Sequence, residues 1–238
     1  MKRYFLVSDT HSYYDELINV LNDNNFSFDN PNHILVILGD VFDRGEKTIE
    51  LFEFLLRLID DKKLILIKGN HDYQLLKCFK NKEYENIDLV NGTITTLRKL
   101  YNHLKCRKCG ESIFLMNFSN KISELLMEPK IEKFVNHYIN FYEINNYILV
   151  HSYLPIEDGS LVFKEDMNPS LWEEASWLEP YEIRIDKQLF LKNKIIVGGH
   201  RPVTVFNHRN EIFIIEGYIN IHSNIKTSKK MLCMVLEV

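Results

Sequence analysis

The chain of 238 residues carries a formal net charge of −4, with 45% hydrophobic and 26% charged residues, the composition of a globular protein with a sizeable core rather than of a disordered or membrane-embedded chain. Its acidic balance offers no general attraction to a phosphate backbone, and the densest lysine group, Lys226 with Lys229 and Lys230, reads as a solvated turn, so no nucleic-acid partner is expected. The apolar run in "MKRYFLVSDTH" is too short for a secretory signal and no segment reaches membrane-spanning length, which points to a cytoplasmic protein with no membrane partner.

The first third alternates regularly. "RYFLVS" predicts a short strand, and a helix is expected from Ser12, where Ser12 and Asp15 fit a capping box and Leu17, Ile18, Val20 and Leu21 form an apolar face. "HILVIL" reads as a strand buried on both faces, "IELFEFLLRLI" as a second helix and "KLILIK" as a third strand, with another helix expected from Tyr73. This β-α-β-α-β order builds a parallel sheet covered by helices. A polar cluster closes each strand: "SDTH", "GDVFDRG" and "GNHD". In open α/β sheets ligand sites gather beyond the carboxyl ends of the strands, so the three clusters should converge on one edge.

From about Asn81 to Asn146 the pattern becomes helical and less regular, with "ISELLM" and "IEKFVNHYINFY" as amphipathic stretches broken at Pro129; this reads as a helical insertion in a single domain over residues 1–238. Within it, Cys106 and Cys109 of "KCRKCG" look like half of a zinc knuckle, but the chain has only four cysteines and no second pair, so they read as surface thiols. "YILVHS" and "KIIVGGH" are strands that each end in a histidine. "VTVF", "EIFIIEG" and "MLCMVLEV" read as short strands of a second sheet.

Collected, the strand ends display Asp9 and His11; Asp40, Asp43 and Arg44; Asn70 and His71; His151; and His200. Singly, each has a plain structural reading as a helix cap, a turn residue or a hydrogen-bonded histidine. Together they are the carboxylate, imidazole and amide donors that a pair of borderline divalent cations prefers, and the absence of thiolates speaks against a structural zinc cage. Asp72 reads as the cap of the following helix and is left outside the set.

The order Asp9-x-His11, "GDVFDRG", "GNHD", His151 and "GGH" at His200 resembles the metallophosphoesterase superfamily with the calcineurin-like fold. The full "GDVFDRG" form, "NG" at Asn91 and Gly92, and "HSYLP" after the fourth strand look most like the bacterial and phage serine/threonine protein phosphatases of its phosphoprotein phosphatase branch. The resemblance implies two central mixed sheets flanked by helices, a four-layer α/β/β/α sandwich. It implies that Asp9, His11 and Asp40 hold one divalent ion and Asp40, Asn70, His151 and His200 the other, with manganese favoured and iron or zinc as alternatives. His71 matches the general acid, Asp43 the carboxylate that orients it, and Arg44 the phosphate-binding arginine.

The chemistry expected of such a set is in-line attack on phosphorus by a bridging hydroxide whose pKa the metals lower, with His71 protonating the leaving oxygen and Arg44 forking onto phosphoryl oxygens. In "PSLWEEASWLEPYEIR" the second phosphate-binding arginine of the resembled enzymes is not evident: Glu173 and Glu174 stand where a guanidinium is expected, leaving Arg184 or Arg201 as substitutes, or Arg44 and the metals alone to bind phosphate. The expected substrate is a phosphorylated protein or a small phosphoester, foremost phosphoserine or phosphothreonine. The alternative is symmetrical hydrolysis of a dinucleoside tetraphosphate. A non-catalytic binding module is the lesser reading, because every expected metal position is filled.

Overall fold

A computed structural model describes residues 1–164, 167–180, 183, 189 and 191–238. In chain order its first half contains β1 (Arg3–Val7), α1 (Tyr14–Asp23), β2 (His33–Leu38), α2 (Thr48–Asp60), β3 (Leu64–Ile67) and α3 (Asn70–Asn81). Five helices follow: α4 (Asn86–Asn91), α5 (Thr93–Leu104), α6 (Glu111–Met116), α7 (Phe118–Leu126) and α8 (Pro129–Val135). The chain continues through β4 (Tyr138–Ile139), β5 (Tyr142–Ile144), β6 (Tyr147–Leu149), β7 (Ile156–Glu157), β8 (Ser160–Leu161) and α9 (Pro169–Ala175). It ends with β9 (Ile195–Gly198), α10 (Thr204–Asn207), β10 (Phe213–Ile215), β11 (Tyr218–Asn220), α11 (Ile225–Ser228) and β12 (Met234–Glu237).

Two mixed five-stranded sheets, ordered β12-β1-β2-β3-β4 and β10-β11-β9-β6-β5, form the centre. The first is parallel from β1 to β4, with β12 antiparallel on β1; the second is parallel through β6, β9 and β11. The period-2 alternation of strand side chains sets the layers. Phe5, Val7, Leu35 and Ile37 face the helices, and Tyr4, Leu6, Ile34 and Val36 face the second sheet, where Leu149, Val197 and Ile219 meet them. The far side of that sheet, through Ile148, Ile196 and Tyr218, packs on Trp172 of α9. The result is the four-layer α/β/β/α sandwich. All six residues of β2 are buried, which explains its unbroken apolar run.

Several elements depart from the sequence reading. Helix α1 begins at Tyr14 without a side-chain cap; Ser12 is left-handed (φ 62°) and its hydroxyl lies 3.2 Å from Thr48 Oγ1 instead. Helix α3 begins at Asn70, so "GNHD" is its first turn rather than a loop before it. "VTVF" contributes to helix α10, and "MLCMVLEV" supplies β12 to the first sheet, not the second. In "IEKFVNHYINFY" the helix stops at Val135, and Tyr138 onward turns into β4 and β5, where aromatic and β-branched residues fit the edges of both sheets. Helices α5 to α8 share one apolar cluster with α2, through Leu97, Phe114, Ile122 and Phe134 against Phe52 and Leu55. Among the described residues no helix is long and apolar enough to cross a membrane.

Candidate active site

The strand ends converge as the alternation predicts. β1 delivers Asp9 and His11, β2 delivers Asp40 to Arg44, the start of α3 delivers Asn70 and His71, β6 delivers His151 and β9 delivers His200. The backbone is contorted there: Asp9, His11, Asp40, Asp43, Arg44 and His200 all have positive φ, between 40° and 76°. A non-glycine residue in that region is costly and persists where surrounding contacts over-determine it, which is common at functional sites. Of the two glycines that bracket "GDVFDRG", Gly39 is itself left-handed (φ 80°), whereas Gly45 is needed for space, since a Cβ would lie 2.6 Å from the His11 carbonyl oxygen.

The side chains form two adjoining donor groups that share Asp40. On one side, His11 Nε2 lies 3.7 Å from Asp40 Oδ2, and the His11 Nδ1–H donates to the Phe42 carbonyl at 2.9 Å, which leaves the Nε2 lone pair facing inward. On the other, His151 Nε2 lies 3.6 Å from Asp40 Oδ1 and 3.0 Å from Asn70 Oδ1, its Nδ1–H donating to the Leu38 carbonyl at 2.7 Å. His200 Nδ1 lies 3.1 Å from the same Asn70 oxygen. One donor atom each from Asp9, Asp40 and His151, and likewise from His11, Asp40 and His71, fall within 4.8 Å of one another. Among the described residues Asp9 Oδ1 and His11 Nε2 are buried with no hydrogen-bond partner, as expected of atoms shaped to meet a cation. Oxygen and imidazole donors with fixed tautomers fit divalent ions of the manganese, iron or zinc type.

Electrostatics agree with a site built for added positive charge. Burial, with Asp9 and Asp72 adding repulsion, raises the Asp40 carboxyl well above its ordinary value despite the pull of His71. Burial also acts to raise Asp9, but His222, His151, His11 and the Ser8 hydroxyl outweigh it and hold the carboxyl below the usual range. Burial and the neighbouring His151 bring His200 down to about 3, and burial with Arg44 and His71 lowers His11, so both rings are neutral at neutral pH.

At the rim, His71 Nδ1 lies 2.7 Å from Asp43 Oδ2, and Arg44 Nη2 lies 3.2 Å from His71 Nε2. Burial works against the imidazolium, yet Asp40 and then Asp43 raise the His71 pKa above its ordinary value. Asp43 is itself anchored from α5: the Thr96 hydroxyl donates to Oδ1 at 2.7 Å and Thr93 to Oδ2 at 3.3 Å. Arg44 is exposed and borders a cleft of about 350 Å³ with Asp9, His11, Tyr13, His222 and Lys226.

All nine site residues expected from the sequence thus lie together, and two further residues join them. Asp72 does more than cap α3: Oδ2 accepts from the backbone of Gly69 at 2.8 Å and of Asp40 at 2.7 Å, while Oδ1 accepts from Tyr138 Oη at 2.8 Å. His222, just beyond β11, places Nδ1 3.2 Å from Asp9 Oδ1. The signal for it was present, a histidine in a polar cluster after an apolar strand, but "YIN" is too short to stand out. Of the substitutes for a second phosphate-binding arginine, Arg201 forks onto Glu179 at 2.7 and 2.8 Å, and Arg184 lies outside the described residues. Glu173 pairs with Lys77. Cys106 is exposed and Cys109 buried, both free thiols.

Residues 2–222 match the calcineurin-like phosphoesterase family, and the chain belongs to it. Among curated relatives, the symmetrical bis(5'-nucleosyl)-tetraphosphatase of Buchnera aphidicola subsp. Baizongia pistaciae is 33% identical over 95 residues, 40% of this chain and 32% of that protein. The chain thus spans about a third of that relative's length. Among solved structures, the cold-active protein-tyrosine phosphatase of a psychrophile Shewanella sp. superposes with TM-score 0.58 at 18% identity, covering 100% of this chain and 76% of that one. A protein serine/threonine phosphatase from Saccharomyces cerevisiae with similarity to human PP5 gives TM-score 0.57 at 16% identity, covering 96% and 69%. At these identities the structures attest the fold alone.

Proposed function

We propose that the protein is a dinuclear-metal phosphomonoesterase that releases phosphate from phosphoserine or phosphothreonine. In this reading Asp9, His11 and Asp40 hold one divalent ion, manganese foremost, and Asp40, Asn70, His151 and His200 hold the other. Ions so held polarise a phosphoryl oxygen and bring the pKa of water from 15.7 to about 7, which makes a nucleophile available near neutrality. Arg44, at the rim, binds the phosphoryl oxygens and offsets the charge that grows on them in the transition state.

The observation that carries the reading is the His71–Asp43 pair, with Nδ1 and Oδ2 at 2.7 Å and the imidazole pKa raised. Proton delivery matters most when the leaving group is a strongly basic alkoxide, as from serine or threonine, and least when it is a nucleoside diphosphate. During turnover the Nε2 side of His71, which Arg44 borders at 3.2 Å in this structure, would face the leaving oxygen and, when protonated, give up its proton there, while Asp43 keeps the ring oriented. A second reading, cleavage of dinucleoside polyphosphates, is favoured by the named activity of the curated relatives, which match about 40% of this chain.

Product analysis decides between the two. Phosphate released from a phosphoserine peptide, abolished by a chelator and restored by manganese, with a dinucleoside tetraphosphate left intact, is the expected result. Two nucleoside diphosphates from the dinucleotide, with the peptide untouched, would transfer the protein to the second reading.

A further inference from the structure

Three buried polar atoms of residues that line the same cleft, Asp9 Oδ1, His11 Nε2 and His222 Nδ1, make no hydrogen bond among the described residues. Two are accounted for above as ligands of one ion. The third belongs to a residue that is only 6% exposed. A buried imidazole nitrogen with no hydrogen bond among the described residues, its neighbour being the Asp9 carboxylate at 3.2 Å, costs about 1–3 kcal/mol unless something more meets it, so its persistence calls for an occupant.

We propose that His222 is a further ligand, through Nδ1, of the ion held by Asp9, His11 and Asp40. His222 Nδ1 and Asp9 Oδ1 are 3.2 Å apart, the separation of neighbouring donors that each lie about 2.1 Å from a shared cation. A plain ion pair between the two residues describes the contact less well, because no hydrogen bond joins them at that distance. The other Asp9 oxygen is already engaged, accepting from the Ser8 hydroxyl and from the His200 backbone N–H at 3.1 Å, so Oδ1 alone is presented toward His222.

The ring is held for the task. The backbone N–H of His222 donates to Asn220 Oδ1 at 2.8 Å and its carbonyl accepts from Val203 N at 2.8 Å, which fixes the backbone that carries the ring. The two sites then become alike in donor number: Asp9, His11, Asp40 and His222 on one side, Asp40, Asn70, His151 and His200 on the other.

The inference rests on the dinuclear reading, and the test separates the two. Metal-stripped full-length protein is titrated with Mn²⁺ and with Co²⁺, following heat and the cobalt absorption bands, alongside the melting temperature of the metal-free forms. Wild type should bind two ions. His222→Gln, which keeps bulk but moves the donor, should retain one and weaken the other at least as much as the ~10–100-fold that follows loss of an outer-sphere partner. His222→Asp, which supplies a carboxylate donor, should regain part of that affinity even though it repels Asp9 in the metal-free protein. Two ions bound by His222→Gln with wild-type affinity and cobalt spectrum would overturn the proposal, as would variants that lose only metal-free stability. A wild type that binds no ions would remove the dinuclear reading itself, and the proposal with it.

Discussion

His71 Nδ1 and Asp43 Oδ2 stand 2.7 Å apart at the edge of the metal-ligand cluster, with Arg44 on the opposite nitrogen of the same ring. Asp40 and Asp43 together raise the His71 pKa despite burial, so the protonated ring persists to pH values above the ordinary 6.5. Activity that needs this proton is present below the raised value and is lost as the pH climbs through it. Asp43→Asn removes one of the two attracting charges. The basic limb of the kcat profile should shift to lower pH, and an unmoved limb would detach Asp43 from the proton.

His71→Asn should leave metal uptake largely intact and slow turnover by about 10²–10⁴-fold for alkyl phosphates. Aryl phosphates with acidic leaving groups should suffer far less. An equal loss on both substrate types, read from kcat/KM across a leaving-group series, would contradict a general acid.

Asp40→Asn separates charge from structure. Because burial holds the Asp40 carboxyl well above its ordinary 3.8, ionising it weakens the metal-free fold as pH rises from there toward the folded value. Metal-free Asp40→Asn should therefore melt no lower than wild type at neutral pH, while losing both the stabilisation by divalent ions and the activity. Calorimetry with and without Mn²⁺ checks both halves.

Arg44→Ala removes the exposed guanidinium of the cleft. We expect kcat/KM for phosphomonoesters to fall by about 10²-fold, on the scale of losing one charge-stabilising donor, with metal binding unchanged. Wild-type kinetics would assign phosphate binding to another cation, of which Lys226 lines the same cleft.

Asp72→Ala acts on architecture. It strips partners from the buried backbone N–H groups of Asp40 and Gly69 and from Tyr138 Oη, at roughly 1–3 kcal/mol for each group left unsatisfied. Metal-free protein should melt several degrees lower, the opposite of Asp40→Asn.

How much of this was legible in the sequence depends on how far each contact reaches. β1, β2 and β3 were readable because each is an unbroken apolar run ending in polar residues, and the ligands follow those ends directly. The strand character of "MLCMVLEV" was equally plain, but its partner was not: a run of alternating residues carries no record of which edge it joins, and β12 pairs with β1. Asp72 was ambiguous because one oxygen both caps α3 and reaches the Asp40 backbone. His222 was missed because the strand before it is three residues long and sits in a hairpin with β10. "VTVF" misled through its β-branched residues, which a single turn of helix tolerates.

The two threonines that grip Asp43 come from α5, far from the loop they steady. Excising the helical segment would therefore take away the footing of Asp43, and with it that of the proposed proton donor His71, as well as a covering layer. Conversely, in the proposed mechanism any displacement of α5 would reach Asp43 directly and His71 through it.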